Sequence, residues 1–360
     1  VNNPSETPDF SVVTGATVHH VVDGRQQEVC ELVERTYLLH GEAGTVNPPS
    51  YFLRFPDRPT ARIIALPASV RGGRPVDGLK WISSFPTNLD RGIPRASAVL
   101  ILNDPVTGYP YACLESSIIS AVRTAASAAV AARALTRNRP APRRVGFVGT
   151  GLIARYLHTY LSVLDWEPRE FGVYDLSEEY AEGFAGHLRE TAGGTAVRVH
   201  DSAESLIRSS DVVVFATTAA TPHVDDPSWF GHHPLVLHVS LRDLSTDVIL
   251  DSVNVVDDIE HVLKADTSVH LAEQRTGGRD FIDGTLYDVL TGKVDAPADR
   301  TVVFSPFGLG VLDLAVGDLV HGRARETGTL AVVDGFFHDL ERHRSPAPGA
   351  VRDDRMPRMG

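Results

Sequence analysis

VGFVGTGLIARY, residues 145–156, sets an uninterrupted apolar strand before a glycine turn and an amphipathic helix after it. Gly149, Gly151 and Ala154 form a G-x-G-x-x-A pattern. The first glycine permits a tight turn, the second lets the backbone approach a pyrophosphate, and the small third residue lets helix and strand pack closely. Backbone N–H groups at the helix start, with the helix dipole, then favour an anion. Gly149 and Gly151, with Leu152 and Ile153 of the first turn, are therefore candidate dinucleotide-binding residues. The next strand, FGVYD, ends in Asp175, at the spacing of an acceptor for a ribose hydroxyl. No arginine follows it (Leu176, Ser177, Glu178), which favours NAD over NADP. The alternative is that Asp175 caps the following helix.

Working outward, strand and helix patterns alternate from 143 to about 305. RRVGFVG, FGVYD, AVRVH, DVVVFATT, LVLHVSL and VNVVDD are short Val/Phe/Ile runs separated by amphipathic segments, the signature of a parallel sheet covered on both faces. DVVVFATT reads as a strand ending in Thr217 and Thr218, and LVLHVSL closes on Ser240 and Leu241. Ligands of such sheets bind beyond the carboxyl ends of the strands, so these four residues join the cofactor-binding set.

Residues 11–115 read as β-rich with one helix, CELVERTYLLHGEAG at 30–44. YFLRF, ARIIALPASV, GLKWISSF and ASAVLILND follow as strands, and the turn signals in LNDPVTGYPYACLE join two strands as a hairpin. An alanine-rich helix, 116–138, precedes Pro140 and Pro142, and GVLDLAVGDLVHGRAR (310–325) is expected to return to the first unit. Residues 343–360 have no periodic pattern and are expected to form a disordered tail. In GLKWISSF, Lys80 lies between Leu79 and Trp81; an ammonium there either snorkels outward from an edge strand or meets a partner.

Composition sets limits. A net charge of −12 opposes a general nucleic-acid surface. Two distant cysteines, Cys30 and Cys113, fit reduced thiols. No apolar run long enough for a membrane span and no signal-peptide pattern is found, so the expectation is a cytoplasmic protein without membrane partners. The fifteen histidines lack HExxH spacing, so no metal site is expected and they read as ordinary loop and surface residues.

The order Y-x-L-R, G-L-K-W, I-L-N-D-P-x-T-G-Y-P, R-T-A-A, G-x-G-x-x-A and F-S-P-F-G-x-G-x-x-D-L-A resembles the ornithine cyclodeaminase/μ-crystallin family over about residues 15–335. GLKWISS, RASAVLILNDP, GTGLIARY and SLRDL look closest to its 2,3-diaminopropionate biosynthesis dehydrogenase branch. That resemblance implies an α/β protein with a Rossmann NAD-binding domain (123–311) and a discontinuous α+β substrate-binding and dimerisation domain (11–122 and 312–342). It further implies a homodimer, and NAD-dependent oxidation of N-(2-amino-2-carboxyethyl)-L-glutamate to 2,3-diaminopropionate and 2-oxoglutarate, serving siderophore or peptide-antibiotic biosynthesis.

Carried over, Arg54 and Lys80 fall at substrate-carboxylate positions, and Arg123 where an arginine reaches toward cofactor and substrate. Asp243 falls near the family's catalytic aspartate, which follows two glycines in cyclodeaminases; here Leu241 and Arg242 precede it, so the backbone is expected to differ. Lys80 and Asp243 are the candidate catalytic residues: Asp243 as base with a carboxyl raised by burial, Lys80 as charge clamp or proton carrier, the clamp preferred. A substrate with three carboxylates needs several cations, and Arg54, Lys80, Arg95, Arg123 and Arg242 are the candidates. Phe307 and the glycines of FSPFGLG are expected to shape the nicotinamide end. Rival readings are an ornithine cyclodeaminase, an imine reductase or amino-acid dehydrogenase of a smaller substrate, and a non-catalytic binder of dinucleotide and small ligand.

Overall fold

The structure, a computed structural model, describes residues 9–337. The tail expected at 343–360 lies outside them. Two sheets organise the chain. One is an eight-stranded sheet, wholly parallel, in the order Ala196–Val199, Glu170–Tyr174, Arg144–Val148, Val212–Phe215, Leu235–His238, Val302–Ser305, Val253–Val256, Ile282–Thr285. Its direction of winding reverses between Arg144–Val148 and Val212–Phe215, the switch point of a doubly wound sheet, where a crevice opens beyond the strand ends. The all-apolar runs of its strands follow from burial on both faces. The expected Rossmann architecture is therefore present.

The other sheet is mixed and built mainly on antiparallel pairs: Tyr51–Phe55, Arg58–Val70, Val76–Ser84, Ala96–Asn103 and Pro110–Glu115 pair in sequence. Opposite residues share a face, and here the faces differ sharply. Leu66, Ala68, Lys80, Leu100 and Leu102 point to the buried side. Tyr51, Ala65, Trp81 and Val99 form one cross-strand row on the other, where Tyr51, Trp81 and Val99 are exposed.

The helix Gly310–Glu326 covers the buried side, so the segment does lie against the first sheet. Close approach needs two glycines: a Cβ on Gly310 would press on Leu66 and Ala68, and one on Gly317 would overlap Leu100. Helix Ser117–Leu135 is the only one among the described residues long and apolar enough to cross a membrane by composition, but it is largely buried against strands of both sheets. The divisions expected at 123 and 312 thus fall inside two continuous helices, Ser117–Leu135 and Gly310–Glu326.

The fold departs from the sequence expectations in three further places. A second helix, Gly15–Val22, precedes Gln26–Gly41; Thr14 caps it and its three buried valines form a short apolar stripe. The strand carrying Lys80 is interior, paired on both sides, and not an edge. The strands of the parallel sheet stop at Phe215 and His238, which leaves Thr217, Thr218, Ser240 and Leu241 in the loops beyond.

Candidate active site

The crevice is built first by the glycine turn. Gly149 holds φ +85°, the left-handed region, and a Cβ there would meet the Ala216 carbonyl at 2.8 Å, so only glycine fits. Gly151 has ordinary backbone angles, and a Cβ there would have nothing within 4 Å, which leaves the space a pyrophosphate would take. The helix Leu152–Leu161 that follows has no side-chain cap and no acid in its first turn, so its N–H groups face the crevice unpaired by side chains. Leu152 is exposed and Ile153 half-buried there. Asp175 stands beside the turn: its Oδ2 accepts from Thr150 N (2.9 Å) and Thr150 Oγ1 (2.8 Å), and its Oδ1 from Ser177 N (3.0 Å). Leu176, the next residue, is 95% exposed and offers no cation for a 2′-phosphate. The donor set and the open space fit a dinucleotide of the NAD type.

Lys80 is buried to 2% exposure, and its Nζ donates to Asp313 Oδ2 at 2.6 Å and, more weakly, to Ser120 Oγ at 3.4 Å. Asp313 comes from helix Gly310–Glu326 and is fully buried; its Oδ1 accepts from Arg123 Nε at 3.2 Å. One carboxylate against two cations leaves this trio a net positive charge. Burial lowers Lys80 first, and Arg123 adds to that against the opposing pull of Asp313, bringing it to about 8. Arg123 is itself wedged by the 305–309 loop: Gly308 holds φ +95°, and a Cβ there would collide with the guanidinium. The loop is fixed by buried Asp257, which accepts from Phe307 N (2.9 Å) and Gly308 N (2.7 Å). Phe307 is half-buried beside His261.

A row of arginines extends the same face. Arg54, Arg62 and Ser84 lie directly opposite one another on three adjacent strands, on the side to which Lys80 also points. Arg95 Nη1 donates to Ser84 Oγ at 2.7 Å. Burial lowers Arg62, and the charges of Arg242, Arg95 and Arg54 lower it further, so the four guanidinium groups act on one another. Among the described residues none of the four makes an ion pair with a carboxylate. Arg54 rests over the Phe52 ring at 5.1 Å, and Arg242 gives Nη2 to Ala265 O at 2.6 Å.

Asp243 overturns the expectation of a raised carboxyl. It is fully buried, and both its oxygens are occupied. Oδ1 meets Thr217 Oγ1 and His223 Nε2, the latter at 3.1 Å; Oδ2 meets Ser240 Oγ and His238 Nε2, the latter at 3.2 Å. Burial alone pushes the group up, but the bonds from His223, His238 and Ser240 outweigh it and hold the carboxyl far below the usual range. A carboxyl held this low is a weak proton acceptor, the opposite of the rise expected from burial. Leu241 keeps φ +70°, a conformation that glycine would favour, despite its side chain. Thr218 is exposed nearby, with no partner among the described hydrogen bonds.

The pattern of the ornithine cyclodeaminase/mu-crystallin family matches residues 16–328. The chain belongs to that family. Among its relatives, the nodulation efficiency protein NfeD of Rhizobium meliloti is 31% identical over 308 residues, 84% of this chain and 92% of that one. The N-((2S)-2-amino-2-carboxyethyl)-L-glutamate dehydrogenase of Staphylococcus aureus is 27% identical over 271 residues, 74% of this chain and 80% of that one. An archaeal alanine dehydrogenase dimer with bound NAD superposes with a TM-score of 0.80 at 26% identity, covering 91% of this chain and all of that one.

Within this family fold, the sequence-derived residues fall into three places. Gly149, Gly151, Leu152, Ile153 and Asp175 line the glycine turn; Thr217, Ser240, Leu241 and Asp243 gather beyond the strand ends; Lys80, Arg54, Arg95, Arg123 and Arg242 stand on the facing sheet or against it. Four residues escaped the sequence reading: Asp313, Arg62, His223 and His238. The D-L-A ending of the family string had already marked Asp313, though as pattern and not as partner. The histidines read as ordinary surface residues, yet His238 is fully buried against Asp243 and Ser305.

Proposed function

We propose that this chain is an NAD-dependent oxidoreductase acting on a C–N bond of an amino acid with several carboxylates, of the N-(2-amino-2-carboxyethyl)-L-glutamate type. The observation that carries the substrate class is the row Arg54, Arg62, Arg95 and Arg242, four guanidinium groups without a carboxylate partner among the described residues. Clustered cations repel one another, the more so at Arg62, Arg95 and Arg242, which are half-buried, and an oligoanionic ligand relieves that repulsion. A substrate with one carboxylate would leave most of the row unmatched. The dehydrogenase relative that acts on this compound by name adds support.

NAD, when bound, supplies the hydride-accepting chemistry. The chain's own residues do the rest. Gly149, Gly151 and the first turn from Leu152 and Ile153 receive the pyrophosphate, and Asp175, turned from Thr150, receives the ribose hydroxyls. Lys80 and Arg123, with the net charge left by Asp313, hold the carboxylate next to the reacting carbon; Lys80 acts as ammonium. The arginine row holds the remaining carboxylates and so fixes the substrate's direction. Phe307, beside His261, shapes the nicotinamide end. Asp243 carries no proton itself and orients the imidazoles beside it.

On this reading 123–311 serves the cofactor, and 11–122 with 312–342 serve substrate and dimer contacts. The exposed row of Tyr51, Trp81 and Val99 on the uncovered sheet face is the surface for a second copy of the chain. The test is absorbance at the NADH band with NAD and the glutamate adduct, with ornithine and L-alanine in parallel. NADH from the adduct, matched by 2-oxoglutarate, supports the reading. Proline and ammonia from ornithine, or NADH from alanine alone, moves the chain to another activity of the family.

A further inference from the structure

Asp243 is surrounded by two imidazoles that are not equivalent. His238 is fully buried; its Nε2 lies 3.1 Å from the Asp243 backbone N while Nδ1 lies 3.2 Å from Ser305 Oγ. The same Nε2 lies 3.2 Å from Asp243 Oδ2, so both ring nitrogens of His238 are engaged inside the protein. With neither nitrogen open to the crevice, His238 holds the loop.

His223 is differently placed. Its backbone and that of Val224 both donate to Asp243 O at 2.9 Å, which ties the segment to the aspartate. Its side chain is 42% exposed, and its Nε2 lies 3.1 Å from Asp243 Oδ1. Nδ1 has no hydrogen-bond partner among the described residues. Asp243 Oδ1 also meets Thr217, two residues beyond the end of the strand Val212–Phe215, so the imidazole stands at the mouth of the crevice. The arrangement is a carboxylate fixing one ring nitrogen and leaving the other free to exchange a proton.

We propose that His223 is the proton carrier of the hydrolytic half of the reaction, with Asp243 as its positioning residue. This rests on the substrate reading above. Once the substrate is at the iminium level, a water oxygen bonds to the former glutamate Cα, the C=N π pair moves to nitrogen, and the water's proton passes to His223 Nδ1. His223 then returns that proton to the amine nitrogen. The C–N bond breaks with its electron pair on nitrogen, a hydroxyl lone pair completes C=O, and the hydroxyl proton passes to neutral His223 and on to solvent. 2-Oxoglutarate and 2,3-diaminopropionate leave, and the oxidation state is unchanged in these steps.

The charged and titratable groups around the ring are consistent with this role. The hydrogen bond to Asp243 raises His223 above the ordinary histidine value against partial burial, and the charges of Asp243 and Asp225 add to the rise. Across Asp243 stand His238, both of whose ring nitrogens are engaged, and Arg242, whose guanidinium is turned to Ala265 O. Activity that needs the neutral imidazole is lost as pH falls through this raised value.

The experiment is stopped-flow NADH formation by the full chain with NAD and the glutamate adduct, for wild type and His223→Gln. Glutamine keeps a donor toward Asp243 but has no group that titrates in this pH range. The expected result is a burst of NADH equal to the active sites, without 2-oxoglutarate, followed by turnover slowed roughly 100- to 10,000-fold. Steady-state turnover equal to wild type, or a burst slowed as much as turnover, overturns the assignment. The wild-type profile of kcat/KM against pH is the second readout: an acid limb above the ordinary histidine value supports it, and a flat profile there overturns it. If the wild type forms no NADH from the adduct, the substrate reading has failed, and this assignment falls with it.

Discussion

Asp313→Asn tests the buried trio. The substitution keeps size and removes one charge, so Lys80 and Arg123 are left facing each other across a neutral amide. Lys80 stands at about 8 with Asp313 in place at 2.6 Å. The pair attraction that is lost is about 1.6 kcal/mol at the dielectric of water and about 6 kcal/mol at an effective value near 20. At about 1.4 kcal/mol per pKa unit, Lys80 falls by at least about one unit. The lysine acts as ammonium in this account, so activity disappears as pH rises through its pKa. The alkaline limb of kcat/KM should therefore move from about 8 in the wild type to near 7 or below in the variant. Activity measured across that range by NADH formation, with NADH binding by fluorescence as the check that the crevice is intact, decides the matter. An alkaline limb that stays where the wild type has it would refute the argument, because the carboxylate would then have no hold on the ammonium.

Four other outcomes follow from the same geometry. Gly151→Ala should leave the melting temperature unchanged, since a Cβ meets nothing within 4 Å, yet weaken NADH binding; Gly149→Ala should lower the melting temperature because its φ is +85° and its Cβ meets a backbone carbonyl. Trp81→Glu, on the exposed sheet face, should shift the chain toward monomer in light scattering while leaving NADH binding in place. Asp243→Asn should bring the acid limb of kcat/KM down toward the ordinary histidine value, because the hydrogen bond that raises His223 loses its charge; an unchanged limb would separate His223 from Asp243.

Much of this site was legible in the chain because it is local. The glycine turn, the strand before it and Asp175 are short-range features with a steric cause at each position, and the crevice carries them where the spacing placed them. Lys80 was conspicuous for a similar reason, an ammonium among apolar residues. Its partner was not legible: Asp313 lies 233 positions away, and only the packing of Gly310–Glu326 onto the sheet joins them. Arg62 sits in a strand whose neighbours are apolar, and its place in a row with Arg54 depends on cross-strand register, which the sequence does not state. Asp243 was found, but with the wrong charge behaviour. Burial was foreseen; the His223, His238 and Ser240 bonds that outweigh it come from the loop after Val212–Phe215 and from the end of Leu235–His238 with the turn beyond it.

The central claim is that the arginine row reads the substrate's additional carboxylates. Its most direct measurement is the ratio of kcat/KM for N-(2-amino-2-carboxyethyl)-L-glutamate to that for N-(2-aminoethyl)-L-glutamate, which lacks one carboxylate, in wild type and in Arg62→Ala. A charge-assisted bond to the lost group is worth roughly 1.5–3 kcal/mol, so the wild type should prefer the full substrate by about 10- to 150-fold. Arg62→Ala should remove most of that preference while NADH binding stays as in the wild type. Equal use of the two compounds by the wild type, or a preference untouched by Arg62→Ala, would contradict the claim.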